Sequence, residues 1–303
     1  MKAAVLHEHG EPPRLDDFDE PVEDDCHVLA HVTAAGINHL DLLKASGRFY
    51  TGPPPLPSVV GSDGVARLDD GRRVFFDTTA GPYGSMAELT LVDEDALLEV
   101  PDHVDDEVAA ALGNSGLGAW LALGWKAALD PGETVLVLGA TGALGAGRVV
   151  AAARAGERLE RLRDRGADAV VELDGEDDLP AALKDATRGG ADVIVDPLWG
   201  PPALAAMRAA AYEARHVQMG QMAGATLEVP AAVVRSSALQ LLGFAVFQAP
   251  LEVRRAAYTR LTEAAGRGEI EVDLERVPLA DVDEAWQRQQ DGPGTKLVVV
   301  PGA

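Results

Sequence analysis

The chain has 303 residues, of which 47% are hydrophobic and 25% charged, and its formal net charge is −23 at pH 7. This composition is typical of a globular protein with a substantial core, in one large or two ordinary domains. The acidic surface argues against nucleic acid and anionic membranes as partners, because both would be repelled. Cys26 is the only cysteine, which excludes an internal disulfide and a cysteine-rich zinc site. Without an apolar run of membrane-spanning length or a signal peptide, we expect a cytoplasmic protein.

The first hundred residues predict a β-rich unit with little helix. Short apolar or alternating stretches, separated by turns rich in Gly, Pro and Asp, are typical of short strands. We predict strands at residues 1–6, 28–34, 73–76 and 87–92.

After residue 101 the pattern changes to alternating helices and strands. Helices are predicted at residues 105–112, 117–128, 157–165, 179–187 and 203–211, and strands at 134–138, 148–153, 169–173, 191–196 and 216–219. Such alternation predicts an α/β fold with a parallel sheet. Beyond residue 250 we predict helices at 251–266 and 281–291 and short strands at 272–277 and 296–300, which we expect to return to the first unit.

A glycine-rich turn follows the apolar strand predicted at residues 134–138. It has the form G-x-x-G-x-x-G over residues 139–145. Glycines at the end of a buried parallel strand let the backbone approach a dinucleotide pyrophosphate, and N–H groups at a helix N-terminus attract the anion. The predicted cofactor-binding residues here are Gly139, Ala140, Thr141, Gly142 and Gly145.

The end of the next predicted strand favours NADPH over NADH. NAD-specific enzymes usually have an acidic residue there that binds the ribose hydroxyls. This chain instead has Arg154, with Arg158 one turn later, and guanidinium groups match the geometry of a 2′-phosphate. An alternative is that both arginines are solvated, with Glu157 partly neutralising Arg158.

Several segments resemble the zinc-independent quinone oxidoreductases, the zeta-crystallin-like branch of the medium-chain dehydrogenase/reductase superfamily, over nearly the whole chain. These segments are residues 34–41, 46–50, 57–65, 109–121 and 131–145, with weaker matches at 192–200 and 296–298. The resemblance implies a GroES-like catalytic domain over residues 1–108, a Rossmann-type dinucleotide-binding domain over 109–250, and a C-terminal return over 251–303 that completes the catalytic domain. It also implies a homodimer, for which the apolar run 239–247 could supply a pairing strand.

The zinc ligands of zinc-dependent relatives are missing. Those relatives have a Cys near residues 37–39, a Gly-His-Glu where this chain has Gly61-Ser62-Asp63, and a four-cysteine lobe. Because a zinc site needs three or four such ligands, we predict no metal.

The resemblance implies that NADPH reduces a small quinone or α,β-unsaturated carbonyl. It places Asn38 and Tyr50 beside the nicotinamide and substrate. Asn38 could donate a hydrogen bond to the carbonyl, Tyr50 could line the site or supply a proton through water, and Asp41 would orient the turn. His39 is a further candidate for substrate contact.

The remaining predicted cofactor residues lie further along the chain. Asp196 and Gly220 lie at the ends of predicted strands, which is where ligands bind in open α/β sheets. The resemblance also implies cofactor contact from the backbone around Phe244 and from Lys296.

One segment departs from the family pattern. After Gly145 the family has a helix of about three turns, and a parallel crossover normally needs about ten or more residues. This chain enters the next predicted strand at Arg148. Either the protein lacks the helix or the 303-residue sequence lacks residues of the natural chain, and we favour the second. Alternative functions are a zinc-independent alcohol dehydrogenase, an enoyl reductase, or a non-catalytic NADPH-binding protein.

Overall fold

The computed structural model describes residues 1–139 and 147–302. The chain divides into two compact units. The first unit comprises Met1–Gly118 and Pro250–Ala303, and the second unit comprises Ala119–Ala249. Within the described ranges, no helix has both the length and the apolar character needed to cross a membrane.

The strands, in chain order, are β1 (Lys2–Leu6), β2 (Arg14–Asp17), β3 (His27–Gly36), β4 (Ser58–Val59), β5 (Gly64–Leu68), β6 (Arg73–Phe76), β7 (Leu89–Asp93), β8 (Leu98–Glu99), β9 (Thr134–Leu138), β10 (Arg148–Ala153), β11 (Ala169–Glu172), β12 (Ala191–Asp196), β13 (Ala210–Gln218), β14 (Gln240–Gly243), β15 (Leu274–Pro278) and β16 (Lys296–Val300). The α-helices are α1 (His39–Ala45), α2 (Asp106–Ala111), α3 (Gly118–Leu121), α4 (Glu157–Asp164), α5 (Leu179–Ala186), α6 (Gly200–Arg208), α7 (Ala231–Ser237), α8 (Leu251–Gly266) and α9 (Val282–Asp291).

The first unit is built on two sheets. One has the order β2-β1-β4, and the other has the order β15-β16-β3-β5-β6-β8, with β7 also pairing with β3. Their core joins both ends of the chain, because Trp286 of α9 and Leu297 of β16 are buried in one cluster with Leu6 and Phe76. The C-terminal segment is therefore part of this unit's core.

The second unit is a parallel sheet with the order β11-β10-β9-β12-β13-β14. Leu136, Val150 and Ile194 are fully buried, one from each of three neighbouring strands. Strands covered on both faces need apolar residues throughout, which explains the uninterrupted apolar runs in the sequence. The predicted fold class, a Rossmann-type parallel sheet with a β-rich second part, is confirmed.

Some predicted elements differ from the structure. The helix predicted at residues 203–211 is α6, which spans Gly200–Arg208, and β13 already begins at Ala210. Alanine-rich sequence favours helix, but parallel pairing with β12 places Ala210 in the sheet. The predicted strand 216–219 therefore covers only the end of β13. The short helices α1 and α7 were not predicted, because neither is long enough to show a helical period.

The helix predicted at residues 117–128 is less regular in the structure. Leu112–Leu117 and Ala122–Lys126 are π-helical, on either side of α3. Gly113 has non-helical backbone angles (φ −52°, ψ −105°). An alanine Cβ at this position would lie 2.3 Å from the Phe75 ring and 2.8 Å from Asp63 Oδ2, so glycine is required by close packing.

Candidate functional site

The parallel sheet reverses its direction of growth between β9 and β12. The chain runs from β9 outward through β10 and β11, and then from β12 outward through β13 and β14. In open α/β sheets of this kind, ligands bind outside the carboxyl ends of the two strands that flank the reversal. The ends of β9 and β12 therefore form the candidate cofactor site of the second unit.

Gly139 lies at the end of β9 and has a left-handed backbone (φ +62°). Its N–H donates to the Ala152 carbonyl at 2.7 Å, and a Cβ there would lie 3.1 Å from Leu198 Cδ2. The missing side chain thus lets the end of β9 approach the turn after β12. The rest of the predicted motif (Ala140, Thr141, Gly142 and Gly145) lies outside the described residues.

The connection from β9 to β10 is short. β9 ends at Leu138, β10 begins at Arg148, and the two strands are parallel, with Arg148 paired to Thr134. Parallel crossovers that contain a helix take about ten to twelve residues or more. Residues 140–146 of this connection lie outside the described residues.

Arg154 and Arg158, the predicted contacts of a 2′-phosphate, follow β10. Both side chains are exposed, Arg154 directly after β10 and Arg158 in the first turn of α4. Glu157 forms an ion pair with Arg161 at 3.2 Å.

Asp196, Gly220 and Phe244 lie at or just beyond the ends of the neighbouring strands β12, β13 and β14. Asp196 is fully buried and Phe244 is 5% exposed, its ring centroid 6.1 Å from that of Trp125. A Cβ at Gly220 would lie 2.4 Å from the Pro197 carbonyl oxygen. Asp196 and Phe244 are therefore packed inside the protein at the ends of these strands.

A buried pair, His216 and Asp196, was not anticipated from the sequence. His216 Nε2 lies 2.8 Å from Asp196 Oδ2, and both side chains have zero exposure. His216 faces Ile194 across the β12–β13 ladder, so it shares a sheet face with Asp196 two positions further along β12. The two residues are 20 positions apart, and the parallel register brings them together, so no local motif signals the pair.

In the first unit, a buried polar cluster is centred on Asn38. The Asn38 Nδ2 group donates to Asp63 Oδ1 at 2.6 Å and to the Gly36 carbonyl at 3.2 Å. Its Oδ1 accepts a hydrogen bond from Lys296 Nζ, which also donates to the Ile37 carbonyl at 3.1 Å. Gly36 makes room for the lysine, since a Cβ there would lie 3.0 Å from both Lys296 Cε and Nζ.

Both Asn38 amide hydrogens are therefore used inside the protein. The sequence-based role of Asn38, donation of a hydrogen bond to a substrate carbonyl, has no free donor in this structure. Lys296, predicted from the resemblance only as a cofactor residue, contacts Asn38 directly. Asp63 was noticed only as a departure from a zinc motif, and nothing in the local sequence identifies it as a partner of residues 38 and 296.

The cluster extends to Asp41, the third predicted catalytic residue. Asp41 is 2% exposed. Its Oδ2 accepts from the Asn38 backbone N–H at 2.8 Å, and its Oδ1 accepts from the Ser62 hydroxyl at 2.6 Å. Lys44 Nζ lies 2.9 Å from the Ser62 oxygen. Asp41 thus holds the start of α1.

Burial perturbs the titration of the cluster. It raises the pKa of Asp63 to about 6, although the ammonium of Lys296 opposes this. Burial likewise lowers the pKa of Lys296, while Asp63 and Asp41 act in the opposite direction. Each of the two groups favours the charged form of the other, because a buried charge is less costly beside its counterpart.

Tyr50 and His39 differ from Asn38 in their surroundings. Tyr50 is 71% exposed, its ring centroid is 4.1 Å from that of Phe49, and no hydrogen bond joins it to the described part of the cluster. His39 is exposed over part of its surface. Burial of the rest, together with the nearby Lys296 ammonium, lowers the pKa of its imidazole. The structure therefore joins Asn38, Asp41 and Lys296 in one cluster but does not add Tyr50 to it. Across residues 1–139 and 147–302, no group of three or more His, Cys, Asp or Glu side chains is arranged to hold a metal ion.

Comparisons with known proteins identify the family. The family described as zinc-binding dehydrogenase matches residues 134–263. A quinone oxidoreductase-like protein 2 homolog from Nematostella vectensis is 30% identical over 256 residues, which cover 77% of this chain and 69% of the relative. The alignment is 256 positions long, which is more than 77% of 303 residues. Some of its positions are therefore residues of the relative that have no counterpart in this chain.

Solved structures agree. The quinone oxidoreductase from Thermus thermophilus, also solved in complex with NADPH, has a TM-score of 0.83 at 31% identity, covering 99% of this chain and 100% of that one. A Pseudomonas syringae quinone oxidoreductase has a TM-score of 0.89 at 22% identity, with 99% of each chain covered, and so shares the fold. The chain belongs to the quinone oxidoreductase-like branch of the medium-chain dehydrogenase/reductase superfamily and is an oxidoreductase of that type.

Proposed function

We propose that the protein is an NADPH-dependent oxidoreductase that reduces a small quinone or α,β-unsaturated carbonyl without zinc. The observation that carries this proposal is the reversal of the parallel sheet between β9 and β12, with left-handed Gly139 beside Leu198 at its edge. That arrangement fits a dinucleotide, whose pyrophosphate needs close approach to backbone N–H groups. The Thermus relative, solved with NADPH, supports the choice of cofactor.

The cofactor would be held by the two strand ends of the second unit. Gly139 and the motif residues that follow it (Ala140, Thr141, Gly142 and Gly145) would bind the pyrophosphate, while Asp196, Gly220 and the backbone at Phe244 would shape the neighbouring strand ends. Exposed Arg154, with Arg158 beside it, would select the 2′-phosphate of NADPH, because no carboxylate ends β10. When bound, NADPH supplies the hydride.

The buried cluster of the first unit would supply a cationic group. An ammonium has three N–H donors, and Lys296 gives one to Ile37 and one to Asn38. Its third donor would bind an anionic oxygen of the substrate. Asn38 and Asp41 would act as positioning residues that fix the lysine and the start of α1, and exposed Tyr50 would contact substrate without being required for proton transfer.

The first experiment is a fluorescence titration of the purified protein with NADPH and NADH, followed by turnover assays with quinones and enones. We expect NADPH to bind more tightly than NADH. Arg154→Ala should raise the Kd for NADPH about tenfold or more and leave that for NADH nearly unchanged, since it removes a charge-assisted contact to the 2′-phosphate. Arg208→Ala, an exposed arginine at the end of α6, is the matched control and should change neither. Absence of binding by either cofactor would refute the proposal.

A second candidate is a non-catalytic NADPH-binding protein, which the short connection of residues 139–147 favours. Binding without turnover of any quinone or enone would identify it. Mass spectrometry of the intact protein separates the two explanations of that connection: a mass matching 303 residues means that the helix is truly missing, and a larger mass means that the natural chain is longer.

We also propose a homodimer in which the edge strand β14 pairs with its symmetry mate. β14 lies at the end of the six-strand order, and its Leu241 is 54% exposed. An edge strand with exposed apolar side chains is prone to strand pairing. Size-exclusion chromatography with light scattering tests this, and a monomer at assay concentration would refute it.

A further inference from the structure

The turn after β12, residues 197–199, is held by one buried carboxylate. Asp196 Oδ1 accepts hydrogen bonds from the backbone N–H groups of Leu198 and Trp199, both at 2.8 Å. Trp199 has φ +55° and Gly200 has φ +63°, so the backbone here adopts a conformation that most residues avoid. The two hydrogen bonds to Asp196 compensate for that strain.

The other oxygen of Asp196 is held by His216. Nε2 of the imidazole lies 2.8 Å from Asp196 Oδ2, with both groups fully buried. The Trp199 ring meets the imidazole edge-on, with centroids 6.3 Å apart. His216 Nδ1 has no hydrogen-bond partner among the described residues. A proton on Nε2 donates to the carboxylate and leaves Nδ1 as an unpaired acceptor.

The same turn is tied to the segment after β13, residues 219–224. Met219 N–H donates to the Asp196 carbonyl at 2.8 Å, and Ala223 N–H donates to the Leu198 carbonyl at 2.7 Å. Gly220 packs so closely on Pro197 that a Cβ would meet its carbonyl oxygen at 2.4 Å. Any shift of the turn after β12 is thus passed to the turn after β13.

Leu198 of this turn also lies against Gly139, at the end of β9. The carboxyl ends of β9 and β12 flank the reversal of the sheet, where a dinucleotide binds in this type of fold. The position of residues 197–199 therefore decides how closely a pyrophosphate or ribose can approach the end of β9.

We propose that His216 and Asp196 form a positioning pair that fixes residues 197–199 for nicotinamide dinucleotide binding. Asp196 orients the turn through two backbone N–H groups, and His216 orients Asp196. Both side chains are fully buried, so they act through the turn and not by touching the cofactor. This inference rests on the proposed function for its ligand, but the effect on the turn can be measured without any ligand.

The experiment compares His216→Leu and His216→Gln with the unchanged protein. Leucine fills a similar volume without a donor, whereas the terminal amide of glutamine can still donate to Asp196. In the protein without ligand, we expect His216→Leu to speed hydrogen–deuterium exchange about tenfold in the peptides that cover residues 197–200 and 219–224. His216→Gln should restore slow exchange. Unchanged exchange in His216→Leu would overturn the proposal.

Cofactor titration of the same proteins then tests the link to binding. We expect His216→Leu to raise the Kd for NADPH about tenfold while kcat at saturating NADPH changes less than about twofold, and His216→Gln to recover most of the affinity. Leu183→Ala, a fully buried change in α5, controls for general destabilisation and should leave the Kd unchanged. An equal Kd in the two His216 variants would overturn the role in binding. If the unchanged protein binds no dinucleotide, the proposed function fails, whereas the exchange data still decide whether the pair fixes the turn.

Discussion

The two units bury polar side chains in different ways. In the first unit, Asn38 joins the side chains of Asp63 and Lys296, which come from distant segments of the chain, and Asp41 accepts from the Asn38 backbone N–H. In the second unit, Asp196 binds the turn that directly follows it, with His216 as a side-chain partner. Asn38 thus brings a carboxylate and an ammonium from distant segments together, whereas Asp196 holds the turn next to it in the chain. The first arrangement suits a charged site, and the second suits the edge of a cofactor groove.

The difference predicts that removing Asp63 has the largest effect on stability. Asp63→Ala would leave the Lys296 ammonium without its main counter-charge, and one N–H of the Asn38 amide and the Asn114 backbone N–H without an acceptor. We expect the free energy of unfolding to fall by about 3–5 kcal/mol, measured by urea denaturation. Asp63→Asn keeps the shape and one acceptor, and should cost less. A loss below about 1 kcal/mol for Asp63→Ala would show that the cluster does not stabilise the unit.

Asp63 also predicts a pH dependence with a definite sign. Its pKa is raised from 3.8 to about 6 in the folded protein, so between these values the folded state binds the proton more tightly than the unfolded state. The contribution of this group to stability is therefore lost as the pH rises from about 4 to about 6. The free energy of unfolding of Asp63→Asn, minus that of the unchanged protein, should rise by up to about 3 kcal/mol from about pH 4 to about pH 7.

The control for this pH dependence lies in the other carboxylates. The hydrogen bond from Arg215 lowers the pKa of Glu133. A group of this kind stabilises the folded protein more as the pH rises. These carboxylates are present in both the unchanged protein and Asp63→Asn, so their contributions cancel when the two free energies of unfolding are subtracted. A difference that stays flat from about pH 4 to about pH 7 would contradict the raised pKa of Asp63.

The turns of the second unit predict a smaller effect at Gly220. Gly220→Ala would place a methyl group 2.4 Å from the Pro197 carbonyl oxygen, which cannot move without shifting the turn that Asp196 holds. We expect a loss of about 1–3 kcal/mol in thermal or urea unfolding and weaker NADPH binding. Gly243→Ala in β14 is the matched control, because its Cβ would enter open space, and it should change stability by less than about 0.5 kcal/mol. Equal losses in the two variants would argue against a packed contact between the turns.

The smallest effect is expected at Tyr50, which lies outside both buried arrangements. With 71% of its surface exposed, Tyr50 is largely surrounded by solvent. Tyr50→Phe should change kcat with quinone or enone substrates by less than about twofold, since water can supply the proton. A drop in kcat of about tenfold together with a shifted pH profile would instead restore Tyr50 as a proton donor.

Much of the fold was predictable because it depends on local patterns. The apolar run before Gly139 and the alternation after it predicted a parallel sheet, and the structure confirms the fold class. Where the prediction of an element was wrong, at residues 210–211, sheet pairing overrode the helix preference of alanine. The proposed boundaries after residues 108 and 250 stay predictions.

The candidate site was predictable only in part. Asn38, Asp41 and Lys296 were named from the resemblance, and the structure brings them together. The separate contacts of these three side chains could not be predicted from the sequence, because they depend on which atoms donate and which accept. The pairing of Lys296 with Asn38 spans 258 positions, and that of His216 with Asp196 requires the register of two parallel strands.

The sequence by itself determined the α/β class, the glycine-rich motif that follows residue 138 and the lack of an acidic residue at the end of β10. These features follow from residue type and spacing, which act over a few positions of the chain. Only the tertiary structure decided that the Asn38 amide donates to Asp63 and Gly36. It also decided that Asp63 is buried near Lys296 and that Asp196 is buried. Burial and hydrogen bonding arise between distant segments, so only the packed chain fixes them.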